Sequence, residues 1–191
     1  MEDFNSLKEY YEDLVNKVTN NDGSRFLNSD RAHNAIVMSV ILEHSNDIKM
    51  FCGELSIFAP GFAEKVNTSL KCEEDKLFDP INRLYSSLND FLSNKSNSLT
   101  VLLQNKVDDF LEGSKVKKIL LDNERVKIHT LKSSDIALNI DHFTVGGRKM
   151  YRREIDKESH QAICCFNNND GSEILLSTFD LLLKQSDILS V

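Results

Sequence analysis

The sequence predicts an α/β fold: a mixed β-sheet flanked by helices and preceded by an N-terminal amphipathic helix. Three observations predict it. Two continuously apolar runs, "IKMFCGELSIF" and "LTVLLQN", suit strands buried on both faces. The segments before and between them repeat apolar residues at three- and four-residue steps, as helices do. The last third changes rhythm, and "HFTVGGRKMYRREI" reads as a hairpin around Gly146 and Gly147, whose freedom at positive φ suits a tight turn.

Taken in order, Phe4, Leu7, Tyr11, Leu14, Val15 and Val18 form the stripe of a first amphipathic helix. "NNDGSRFLNSD" then breaks it and offers a new cap at Ser29 or Asp30. A second helix from Asp30 to about Asn46 carries Ile36, Val37, Val40 and Ile41 on one flank and leads into "IKMFCG". Between Pro60 and Pro80 the pattern allows one short helix; residues 59–78 are otherwise unassigned. Asp79 before Pro80 is a strong helix start, because the carboxylate caps exposed N–H groups and proline at N1 loses no helical bond. Ile81, Leu84, Tyr85, Leu88, Phe91 and Leu92 give that helix its buried stripe, and the β-α-β order predicts that "LTVLLQN" lies parallel to "IKMFCG".

Val107, Phe110 and Leu111 have helical spacing, residues 113–122 fit either helix or strand, and "RVKIHTL" alternates as a strand. After the hairpin, "HQAICCFN" adds another strand. "NNNDGS" reads as a turn, with Ser172 capping a last helix that buries Ile174, Leu175, Phe179, Leu182 and Leu183. Residues 1–28 are read as a helical arm and 29–191 as the α/β domain.

At 191 residues and 40% hydrophobic content the chain suits one ordinary core. A formal charge of −7 disfavours nonspecific attraction to nucleic acid or anionic membrane. No apolar run approaches the roughly 18 residues that span a bilayer, and "MEDFNSLKEYYEDL" is acidic where a secretory signal is basic, so a cytoplasmic protein is expected. Cys52, Cys72, Cys164 and Cys165 lack C-x-x-C spacing and read as reduced thiols, the adjacent pair facing opposite sides of one strand. His33 and His44 are too far apart for a zinc helix and read as packing or capping residues; neither a metal nor a cofactor is expected. Nucleotide, dinucleotide, serine-hydrolase and zinc-protease signatures are absent from the sequence.

With Gly146 and Gly147 as the turn, His142 and Thr144 share a face with Lys149, Tyr151 and Arg153. Those five residues are the candidates for binding a phosphate or an acidic partner, and the competing reading is a solvated hairpin face paired with nearby carboxylates. Arg152 and Glu154, with Met150, fall on the other face, where they neutralise each other at the margin of the core.

The strand-helix-strand beginning, the late hairpin with "HFTVGG", the "AICCFN" strand and the closing "FDLLLKQSDIL" helix together resemble the phospholipase D-like fold from roughly Asp30 to Val191. Catalytic members of that family use H-x-K-x-x-x-x-D, in which histidine attacks phosphorus and lysine holds phosphate oxygens. Placed on His142, that motif meets Thr144 at the lysine and Lys149 at the aspartate; Ala35, Asn46, Leu131 and Ala162 follow two positions after the other histidines. Loss of one oxyanion-stabilising donor costs about 10²–10³ in rate. The resemblance therefore implies a non-catalytic interaction, sensing or regulatory subunit, homodimeric as single-copy members often are and bound to another protein. The general character of the chain suggests a bacterial setting such as antiviral defence. The alternatives are a phosphodiesterase or nuclease using His142, and a nucleic-acid-binding regulator.

Overall fold

Alternation of side chains across a strand lets one sheet bury two separate cores, and this chain uses both sides unequally. A computed structural model of the protein describes residues 6–70, 78–105, 111–156 and 158–189. Its elements run α1 (Leu7–Thr19), β1 (Phe26–Asn28), α2 (Arg31–Glu43), β2 (Asp47–Cys52), α3 (Pro60–Ser69), α4 (Pro80–Ser93), β3 (Ser98–Leu103), α5 (Lys117–Leu121), β4 (Val126–Leu131), β5 (Phe143–Gly146), β6 (Met150–Asp156), β7 (Gln161–Cys165), α6 (Asn169–Leu183) and β8 (Ser186–Ile188). Short 3₁₀ turns occupy Ser56–Phe58 and Ser134–Ala137.

The eight strands form one mixed sheet in the order β1-β7-β6-β5-β2-β3-β4-β8. β2, β3 and β4 are parallel at its centre, and every other pairing is antiparallel. On one side, Ile48, Met50, Val101 and Met150 pack beneath α1, α2 and α4 in the larger core. On the other, Phe51, Phe143, Val145 and Tyr151 pack beneath α6. Cys164 belongs to the first core and Cys165 to the second, the opposite facing expected of adjacent strand residues.

β2 and β3 are the parallel neighbours that the apolar runs predict. Helix starts follow the expected caps: the Asp30 carboxylate accepts from His33 N–H and the Asp79 carboxylate from Asn82 N–H. α2 is buried nearly all round because α1 and α4 cover the flank turned away from the sheet.

Three expectations are corrected. The cap of α6 is Asn168, which accepts from Gly171 N–H, so Ser172 lies buried inside the helix. Ile174 leaves the apolar stripe and is 68% exposed. "SRFLN", read as part of a loop, contributes β1, which sequence pattern could not reveal because three residues give no periodicity and the strand exists by pairing with β7. Cys72, Val107 and Phe110 lie outside the described residues.

Candidate functional site

The hairpin sets the geometry of the site through its register. Its turn is Gly147, Arg148 and Lys149, with Gly147 at φ +61°, and Gly146 pairs with Met150. Thr144 then pairs with Arg152, and His142 accepts from Glu154 N–H through its carbonyl at 2.8 Å. This turn is one residue longer than a double-glycine turn, and an odd shift of register moves a whole strand to the opposite face. The expected grouping is therefore corrected: His142 and Thr144 share their face with Met150, Arg152 and Glu154. Tyr151 is buried beneath α6 and Arg153 binds Asp141 at 2.8 Å. Lys149 lies at the far end of the sheet, its Nζ 3.2 Å from Asn21 Oδ1.

The face that holds His142 forms the floor of a cleft of about 700 Å³ at the carboxyl ends of β2 and β3. Crevices at the carboxyl ends of parallel strands are common ligand sites, because the loops there diverge. The first turn of α2 and the first two turns of α3 supply the walls, with Arg31 and Asn34 from one and Gly61, Phe62 and Lys65 from the other. Gln104, just beyond β3, and His160, in the turn before β7, close the rim. Leu55 and His160, both cleft residues, adopt left-handed backbone at φ 54° and 58°. Such conformations cost about 1–2 kcal/mol for a residue with a side chain, and they cluster at functional sites.

His142 is held from three directions. Its Nδ1 lies 3.2 Å from the Glu154 carboxylate, its Nε2 lies 3.0 Å from Gln104 Oε1, and its ring meets Phe51 edge-on at 5.5 Å. The Gln104 amide is oriented by its own donors, which point at the carbonyls of Ser134 and Ala137 at 3.4 Å each. Those carbonyls can only accept, so Oε1 is the atom left to face the imidazole. Both ring nitrogens thus face acceptors. Gly53 leaves room for the ring: a Cβ there would stand 3.2 Å from His142 Cε1.

Glu154 also accepts from Arg152 at 3.4 Å, and Arg152 Nε donates to Asn34 Oδ1 at 2.7 Å. Burial alone would raise the Glu154 carboxyl. Its hydrogen bond to His142 and the charge of Arg152 outweigh burial and hold it below the ordinary 4.5. Burial likewise lowers His160, and the positive charges of Arg31, Arg152 and Lys65 add to that shift against the pull of Glu154. Three cations, Arg31, Lys65 and Arg152, and two carboxylates, Glu54 and Glu154, line the cleft, in a chain whose overall charge is −7.

The remaining donors sharpen that character. Arg31 and Lys65 have no carboxylate partner among the described residues, and neither does the Thr144 hydroxyl have a hydrogen-bond partner, although Thr144 is 4% exposed. The thiol of Cys52, on the cleft wall, is pushed up to about 12 by burial and is no thiolate nucleophile near neutral pH. Among the described residues no group of three His, Cys, Asp or Glu side chains is placed to hold a metal, and no helix is long and apolar enough to cross a membrane. His33 meets Asp30 and Ser29 and packs edge-on against Tyr10 at 4.3 Å, and His44 is the C-cap of α2, so both sit in packing and capping positions.

Sequence reasoning identified His142 and Thr144 but missed Glu154 as the histidine's partner, and Gln104, Arg31, Asn34 and Lys65 altogether. One signal for Gln104 was present: it directly follows the apolar run of β3, where a residue at the carboxyl end of a parallel strand faces the crevice. Nothing in the local pattern marks Arg31 or Lys65, which come to the cleft from separate helices.

No protein-family model and no curated protein matches the chain. Solved structures do. TrmBL2, an archaeal chromatin protein with a novel mode of DNA binding, is 10% identical with a TM-score of 0.53 over 95% of this chain; the chain spans 62% of that protein. Two phospholipase D family neighbours are also 10% identical: NucT from Helicobacter pylori, with a TM-score of 0.50 over 87% of this chain and 98% of that one, and Nuc from Salmonella typhimurium, with a TM-score of 0.48 over 88% and 99%. At such identity the likeness speaks for the backbone alone. The mixed eight-stranded sheet, the hairpin beside its parallel centre and α6, which is followed by the edge strand β8, therefore form a phospholipase D-like fold.

Proposed function

We propose that this chain is a non-enzymatic sensing or regulatory domain whose cleft binds a phosphate-bearing ligand. The observation that carries the proposal is the double engagement of His142, with Glu154 at Nδ1 and Gln104 Oε1 at Nε2. Attack at phosphorus requires a ring nitrogen with a free lone pair, and here each nitrogen is turned to an acceptor. Thr144 lies two residues on, where a lysine would hold phosphate oxygens. The arginine and lysine side chains around one pocket are nevertheless well suited to receive an anion. Assembly as a homodimer with a protein partner belongs to the same proposal, and native mass spectrometry of the intact assembly tests it.

The experiment measures two things on the purified full chain: hydrolysis of bis(p-nitrophenyl) phosphate and binding of inorganic phosphate. The expected result is saturable phosphate binding without turnover, with binding weakened in Arg152→Lys. Turnover abolished by His142→Ala would overturn it.

A phosphodiesterase is the second reading, favoured by one contact. A nucleophilic histidine is commonly oriented by a carboxylate at its other nitrogen, and Glu154 occupies that place. A nucleic-acid-binding regulator would instead show affinity that falls steeply with salt.

A further inference from the structure

The cleft combines two kinds of lining that bear on ligand size. Cationic side chains meet at its rim and floor, while Met38, Met50, Ile57 and Phe62 give it apolar walls. Its volume of about 700 Å³ lies in the range of small-molecule sites. A polyanion such as nucleic acid is met by a continuous basic track on an open surface, whereas these cations converge on one pocket in an acidic chain.

The anion seat has two independent supports. The first turn of the ten-residue α3 borders the cleft through Ala59, Gly61 and Phe62; Pro60 has no N–H and Phe62 N–H donates to the Ala59 carbonyl, so Gly61 carries the N–H of that turn that the helix start leaves for a ligand. Thr144, only 4% exposed as a residue, also lines the cleft, and its hydroxyl has no protein partner among the described residues. Arg152 adds donors: its side chain is 11% exposed, and among the described residues its second terminal nitrogen has no acceptor.

We infer that the cleft takes a small organic phosphomonoester, its single phosphate held by Arg31, Lys65, Arg152 and the Thr144 hydroxyl, its apolar body lying against Met50, Met38 and Phe62. This rests on the proposed phosphate-binding role and narrows it to one ligand class. Methionines suit such a body because their flexible thioethers adapt to varied apolar shapes.

Calorimetric titration of the full chain with naphthyl phosphate, naphthol, inorganic phosphate and a short oligothymidylate tests the inference. Naphthyl phosphate is expected to bind roughly tenfold more tightly than inorganic phosphate, the gain from burying part of an aromatic ring. Arg31→Ala and Lys65→Ala, at sites without ion-pair partners, should each weaken naphthyl phosphate about three- to tenfold while leaving the melting temperature in place. Phe62→Ala should remove the preference over inorganic phosphate and leave inorganic phosphate binding unchanged. Thr144→Val, nearly equal in shape, should weaken both phosphates. Equal affinity for naphthyl phosphate and inorganic phosphate overturns the ligand class but leaves the phosphate-binding role standing. Tighter binding of the oligothymidylate overturns the ligand class in favour of nucleic acid. No binding of any phosphate, or binding indifferent to Arg31, Lys65 and Thr144, overturns both. Release of naphthol on incubation preserves the ligand class and removes the non-enzymatic role.

Discussion

Arg152 and Arg153 are consecutive, chemically identical and each paired with a carboxylate, yet they belong to different environments. Arg152 projects to the cleft face with its side chain 11% exposed, and it shares Glu154 with His142 while donating to Asn34. Arg153 projects to the opposite face, 54% exposed, and binds Asp141. The difference teaches that strand parity, not residue type, decides which cation is part of a network and which is solvent-screened. A buried pair left without one partner is strongly destabilising, whereas an exposed pair contributes about 0–1 kcal/mol.

The largest effect should come from Glu154→Ala. It leaves the Arg152 guanidinium and the His142 ring together without their shared anion, and a loss of about 3–5 kcal/mol is expected in urea unfolding. A loss below that of Arg153→Ala would break the contrast between the two faces.

Gln104→Leu should come next. It removes the acceptor at His142 Nε2 and the donors that meet the Ser134 and Ala137 carbonyls. Unsatisfied buried groups of this kind cost about 1–3 kcal/mol, again read from urea midpoints.

Acid sharpens the comparison without mutation. The folded Glu154 carboxyl titrates below its ordinary 4.5, so it stabilises the folded state at pH above that value. That stabilisation is lost as pH falls through the lower, folded value. Unfolding midpoints of the native chain should therefore fall more steeply below pH 4.5 than those of Glu154→Gln; parallel curves would mean that Glu154 is not held low.

Double-mutant cycles give the finest test. Arg152 with Glu154 should show a coupling well above that of Arg153 with Asp141, for which about 0.2–1 kcal/mol is expected. The smallest single effect is Arg153→Ala, within about 1 kcal/mol of the native chain in the same assay.

Much of the fold was legible because its signals are local. The apolar runs of β2 and β3 report burial on both faces, and Asp30 and Asp79 cap helices within three residues of their own positions. The site was half legible. His142 stood out as a histidine before a double-glycine turn, but its companions depended on a register that the glycines alone did not settle. Placing the turn on Gly146 and Gly147 grouped the histidine with Tyr151 and Arg153; the observed pairing of Gly146 with Met150 grouped it with Arg152 and Glu154.

By itself, the sequence determined the α/β class, the parallel β2–β3 centre and the absence of a lysine two residues after His142, because each is written in nearest-neighbour pattern or in residue identity. Only the tertiary structure decided that Glu154 and Gln104 occupy both nitrogens of that ring, and that Arg31 and Lys65 meet across one cleft. Those residues are separated by many turns of chain, and contacts at such range follow from how helices and strands pack rather than from any periodicity along the backbone.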